Sequence, residues 1–445
     1  MTVIELGDVT SGSEQPQPAD FRNGYERRVL RRVAVALVAA ACLVALAASA
    51  PPEPSRALRT LWTVDFGEAD RFSVTPDTVY TGRPDPAGQL QARDLATGAT
   101  RWTFTMPDPT AWPQFDPAGS VVLVPYGRFA QEAKATDGST YFNEFYRNTI
   151  ALDARTGREL WRRPGEVYLT TTDAALLTDR NATGVETSAL RLVRLTDGGV
   201  VWQRTGLHAG HVSAGGADPL VPESVVTVAP TGDVEIVRLA DGVRVSSGRI
   251  TWYPGSPDSG PFTDVSVDAT RLYVSVAGSA IGSVTAYDQA TLRQVWQING
   301  TNGAAYTCGT LICGLEPEGV VAYDPATGAA RWHSPGIRNA WPAGPARLVA
   351  DANDRWRLID EATGRQLADL GGGNPIFDLD GRLTFMVRPT VAPRGNSAVG
   401  RVDARTSTVE IRGAIDWVTD GTCEATGGYL VCATPFGRLI VTLVG

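Results

Sequence analysis

The stretch Asp94-Leu95-Ala96-Thr97-Gly98, with Trp102 four residues beyond the glycine, decides the architecture because the chain repeats it. Asp153-Ala154-Arg155-Thr156-Gly157 leads to Trp161, and Asp324-Pro325-Ala326-Thr327-Gly328 leads to Trp332. Asp360-Glu361-Ala362-Thr363-Gly364 is a fourth copy without the tryptophan. Looser copies begin at Arg194 (with Trp202), Arg238, Asp288 (with Trp296) and Asp403. Wherever the tryptophan occurs it lies eight residues after the first position, and successive starts are 36 to 59 residues apart. Repetition at this period is the mark of a repeat architecture.

Each part of the unit has a physical reason. The run before the aspartate, as in Val320-Val321-Ala322-Tyr323, reads as a half-buried strand. Asp and Thr side chains accept hydrogen bonds from nearby amides in a tight turn, and glycine takes a backbone conformation that a Cβ penalises. The tryptophan strand that follows supplies a flat anchor for packing one sheet on the next. An earlier strand pair precedes each unit, such as Phe72–Thr75 and Thr78–Thr81. Four short antiparallel strands per repeat are propeller blades, since a closed ring leaves few exposed edges.

The Asp-x-x-Thr-Gly-x-x-x-Trp pattern resembles the PQQ-like, quinoprotein-type, tryptophan-docking propeller repeat, over residues 58–445. The resemblance implies an all-β propeller in which Trp62, Trp102, Trp161, Trp202, Trp296 and Trp332 dock blade on blade. Arg438–Val444 reads as a strand with no partner after it and Leu58–Phe66 as a tryptophan strand with none before it, so the two are expected to pair and close the ring. The raw count is eight whole repeats and this split one, nine in all. Similar propellers usually have eight blades, so eight is the expectation, with the weak repeat around Arg238 misread.

Residues 1–32 form a polar tail ending in Arg27, Arg28, Arg31 and Arg32, and Val33–Ala50 holds eighteen residues without a charge. At about 1.5 Å per residue that run reaches roughly 27 Å, enough for a bilayer core. The arginine flank predicts a single-pass signal anchor with the tail cytoplasmic, residues 51–57 as a stalk and the propeller extracytoplasmic, at the cell membrane. A signal peptide cleaved after Ala48-Ser49-Ala50 is the alternative, disfavoured by Pro51 and Pro52. Lysine occurs once, as Lys134, a bias that fits a GC-rich bacterial genome. The net charge of −8 gives no footprint for nucleic acid.

Cys42 falls in the apolar run. Cys308 with Cys313 and Cys423 with Cys432 form local pairs at equivalent places in two repeats, each set to bridge the first and second strands of a blade. Disulfides suit the outside of the cell, and the spacings do not fit zinc knuckles. No cofactor is expected. The quinone enzymes that carry this repeat also have an adjacent cysteine pair and a calcium site, and this chain has no Cys-Cys dipeptide. His208 and His211 read as surface histidines, and Asp258 and Asp264 as solvated acids.

The long insertions are where a partner would bind. Gly127–Asn148 reads as an aromatic-rich loop holding Phe129, Tyr141, Phe142, Phe145 and Tyr146, which either form a binding surface or fold back over a blade edge. Trp252 and Tyr253 open a second insertion, and Arg388–Arg394 is a third. The leading functional expectation is a non-catalytic tethered scaffold that binds a protein or envelope component. The alternatives are a PQQ-dependent dehydrogenase and a sensor signalling through a cytoplasmic partner.

Overall fold

The computed structural model describes Arg32 and residues 58–445, apart from the short stretches 85–87, 109–112, 135–139, 217–220, 254–260, 279–281, 302–304, 317, 344–345, 393, 404 and 420. Residues 56–445 form one compact unit. The expected anchor at 33–50, its flanking tail and the stalk lie outside the described residues. Among the described residues no helix is long and apolar enough to cross a membrane.

Among the described residues thirty-six strands, β1 to β36 in chain order, pair into nine four-stranded antiparallel sheets. Blades one to eight take consecutive strands: residues 71–105, 116–164, 166–209, 211–249, 262–299, 305–335, 337–372 and 374–416. The ninth combines β34 (Cys423–Thr426), β35 (Tyr429–Thr434) and β36 (Arg438–Val444) with β1 (Leu58–Asp65). Leu58 faces Val444 and Asp65 faces Arg438, so the two ends of the ring share one sheet.

The expectation of eight blades is corrected to nine. The repeat at Arg238 is a whole blade, β14–β17 (211–249). It looked weak because Ser246 stands where the tryptophan should be. Nine apolar clusters occupy the nine junctions between neighbouring blades. One joins blades nine and one through Phe66, Val79, Leu95, Val431 and Leu439. Another joins blades eight and nine through Phe385, Val399, Leu430 and Ile440. Closure therefore rests on apolar burial all round, which is the dominant favourable term in folding.

The turn that sets the repeat works as its chemistry requires. Asp94 Oδ1 accepts from the Thr97 amide and hydroxyl at 2.9 and 2.8 Å, and the Gly98 amide returns to Asp94 O. Gly98 sits at φ +74° against the Trp62 indole, where a Cβ would lie 2.7 Å from ring carbon Cδ2. The same glycine-on-indole contact joins Gly157 to Trp102, Gly198 to Trp161, Gly242 to Trp202, Gly328 to Trp296 and Gly364 to Trp332. Each indole N–H donates to the carbonyl one residue past the start of the next repeat, as from Trp62 to Leu95 at 2.8 Å and from Trp202 to Leu239 at 2.6 Å. The tryptophan is thus held by shape and by one hydrogen bond, which satisfies its buried donor.

Both disulfides are present. Cys308–Cys313 and Cys423–Cys432 each join the first two strands of a blade, with Cα separations of 5.6 and 4.2 Å.

Candidate functional surface

The connections sort onto two faces of the ring. One face carries the Asp-Thr-Gly turns and the links between first and second strands, and Leu58 and Val444 end there. The other face carries the links between second and third strands and those between blades, and the insertions at 127–148, 252–262 and 388–394 fall on it.

The aromatic insertion is not a loop, which corrects the sequence reading. The second and third strands of blade two, β7 (Val121–Lys134) and β8 (Thr140–Asp153), run fourteen residues each and continue past the sheet as a two-stranded arm. Residues 128–134 pair in register with 140–146. The neighbouring strands β6 (Asp116–Ala118) and β9 (Glu159–Pro164) pair only with 121–123 and 148–152. Apolar and polar residues do not alternate in 128–134 and 140–146, so hydrophobic periodicity carries no strand signal there.

The arm's side chains divide by face. Phe129 and Phe145 lie opposite one another with ring centroids 5.5 Å apart. Arg147 covers Phe129 and Arg180 of blade three covers Phe145, each guanidinium 4.2 Å from the ring centroid. These two aromatics therefore dock the base of the arm onto the next blade. Tyr146 is buried, and Tyr141 lies on β8. Phe142 is 63% exposed, so it alone of the five is described as presented to solvent. Arg128 pairs with Glu144 at 2.7 Å across the other face. The base of the insertion therefore covers a blade, and Phe142 stands exposed beyond it.

Trp252 packs half-buried against the cluster between blades four and five, 5.6 Å from the His211 ring. Tyr253 is held through its amide to Thr263 Oγ1 at 2.8 Å. Trp252 therefore serves blade packing first. His208 is exposed beside Glu186, whereas His211 is half-buried 3.9 Å from Asp264, and its burial lowers its pKa. Among the described residues no group of three or more His, Cys, Asp or Glu side chains is placed to hold a metal ion.

Sequence reasoning missed a girdle at the inner strands. Tyr168 donates to Val212 O of the next blade at 2.8 Å and Ser266 to Ala305 O at 3.2 Å. The Tyr306 hydroxyl accepts from the Ala340 amide at 2.9 Å. At the closing seam Glu424 Oε2 accepts from the Val74 amide at 2.8 Å. Burial raises the pKa of Glu424 to about 7, against the opposing pull of that hydrogen bond. Glu424 also lines a cleft of about 540 Å³ at this seam, with Phe66, Phe72, Glu68, Asp70 and Arg71. Its only sequence signal was a carboxylate inside a short inner strand.

The fold and its docking turns define a tryptophan-docked propeller of the PQQ-like class. The profile of the PQQ_2 family, described as outer membrane protein assembly factor BamB, matches residues 88–256 and 244–340, more than half of the chain, and the chain belongs to this family. No curated protein matches it. Among solved structures it is similar to a protein titled as the eukaryotic initiation factor, at 12% identity and TM-score 0.50, covering 83% of this chain and 91% of that one. That likeness is one of fold. It is also similar to BamB from Moraxella catarrhalis, at 15% identity and TM-score 0.43, covering 87% and 99%. The computationally designed Ika8 protein matches at 13% identity and TM-score 0.43, covering 86% and 99%.

Proposed function

We propose that this protein is a membrane-tethered, extracytoplasmic propeller that binds a protein or another envelope component and catalyses no reaction. The observation that carries the reading is the arm of blade two, which leaves the sheet, ends in open strand edges and presents Phe142 to solvent. A rigid ring that presents one projecting element suits recognition. The description of the family as an assembly factor supports the same reading. The uncharged run at 33–50 and the two disulfides support a tethered, oxidising location. Neither the quinone-dependent dehydrogenase nor the single-pass sensor is favoured by a specific feature of the described residues.

The test is site-specific photo-cross-linking in intact cells, with a photoreactive phenylalanine analogue in place of Phe142. A discrete adduct that is competed away when unlabelled full-length chain is co-expressed supports the reading. Labelling no stronger than at an exposed position of the opposite face, such as Leu379, would refute it.

A further inference from the structure

The arm has two edges, and its backbone shows which groups on each are open. The Arg128 amide donates to Asp108 Oδ2 at 2.6 Å and the Tyr146 amide to Glu166 Oε2 at 3.5 Å. Arg128 and Tyr146 face one another in the ladder, so both amides point away from the partner strand. Antiparallel strands alternate between pairs that exchange hydrogen bonds and pairs that do not. The alternation therefore turns the backbone groups of Ala130 and Glu132 outward on one edge and those of Phe142 and Glu144 outward on the other. At the base each edge is capped by a carboxylate from a neighbouring connection or blade. Beyond it, the neighbouring strands of the sheet have already ended.

An exposed row of alternate N–H and C=O groups is a template for another strand. The side chains beside the row say which strand fits. Phe142 and Glu144 share a face, as do Glu132 and Arg128 across from them. Phe142 and Glu132 are exposed and Arg128 is paired with Glu144, so on this face the β8 side carries an apolar position with a carboxylate beside it. The edge along β8 offers the apolar position directly. A second copy of this edge offers Glu144 no basic side chain, since positions 142, 144 and 146 on that face are Phe, Glu and Tyr.

We propose that the β8 edge of the arm, at Phe142 and Glu144, receives an extended segment of a protein partner as an added strand, with an apolar residue opposite Phe142 and a basic residue two positions away, opposite Glu144. The inference rests on the partner-binding reading above and specifies its chemistry. Main-chain hydrogen bonds from Phe142 and Glu144 supply affinity, and the apolar and basic positions supply choice of partner.

Proline separates the edges. Glu144→Pro removes an outward amide and leaves the hydrogen bonds within the arm intact, and Glu132→Pro does the same on the opposite edge. The probe is a synthetic peptide in which valine and arginine alternate on one face, with threonine between them, titrated into the full-length chain in detergent. We expect saturable binding, slower hydrogen exchange at the Glu144 amide, at least a tenfold loss in Glu144→Pro and less than a twofold change in Glu132→Pro. Glu144→Gln keeps the amide and is expected to retain binding within about threefold. No binding by the parent chain, or equal loss in the two proline variants, overturns the proposal. If Phe142 cross-links a partner in cells but Glu144→Pro leaves that adduct unchanged, strand addition fails while partner binding stands. If the adduct itself is absent, the underlying reading fails.

Discussion

The junction between blades three and four and the junction between blades four and five solve one packing problem in opposite ways. In the first, Trp202 is the large group and Gly242 the small one, and a Cβ on that glycine would come within 2.7 Å of the indole. In the second, Ser246 takes the tryptophan position and Leu292 the glycine position. Leu292 keeps the left-handed turn at φ 53° and packs into the cluster between blades four and five, within reach of Gly248. The hydrogen bond survives the exchange: Ser246 Oγ donates to Gln289 O at 2.5 Å, the carbonyl that a tryptophan would have used. The turn shape and that bond are therefore common to both junctions, whereas Ala368 and Ile411, at the equivalent positions of blades seven and eight, carry no side-chain donor. The volume that fills the junction can come from either side, because close packing constrains the sum of the side chains more tightly than their allocation.

The largest expected effect comes from emptying the tryptophan-side junction. Trp202→Ala removes a buried aromatic and is expected to cost about 3–5 kcal/mol, whereas Leu292→Ala, on a partly buried side chain, costs about 2 kcal/mol or less. Denaturant unfolding of the two variants measures both, and equal losses would break the comparison.

Restoring the standard arrangement sharpens it. Ser246→Trp alone drives an indole into Leu292 and is expected to destabilise by ~1–3 kcal/mol. Adding Leu292→Gly should recover most of that loss, so a double-mutant cycle reads a coupling of about 1 kcal/mol or more. Additive effects would mean that the two positions do not share one space.

The smallest effect lies at the closing seam, where a polar contact supplements apolar packing. Glu424 titrates near 7 in the folded chain, above the ordinary carboxylate value, because burial favours its neutral form. The folded state therefore holds this proton more tightly than the unfolded chain does. The associated stability is fully present below about pH 4.5 and is lost as pH rises through about 7. The side chain keeps some contact with solvent, which limits the loss to ~1–2 kcal/mol. Glu68, Asp70 and Arg71 face the same cleft. Glu424→Gln should remove this part of the pH dependence of thermal unfolding between pH 5 and 8, and an unchanged profile would assign the dependence elsewhere.

Much of the molecule was legible from the chain because its signals are local. The Asp-Thr-Gly turns, the spacing to the tryptophan and the cysteine pairs each act within about ten residues, a range over which backbone geometry leaves few choices. Even the split strand could be matched, since Leu58–Phe66 and Arg438–Val444 each lack a sequence neighbour to pair with. Three things needed the tertiary structure. The ninth blade was obscured because Ser246 and Leu292 trade roles across a junction, and packing is read between strands 46 residues apart. The arm read as a loop because its strands, unlike those of a blade, are not shaped by burial on one face, so hydrophobic alternation gave no guide. Glu424 acquired its character from the ring itself: closure brings Val74, 350 residues away, within hydrogen-bond reach. Local turn chemistry determined what repeats and gave a raw count of nine, and only closure of the ring decided that all nine are blades and which edges remain open.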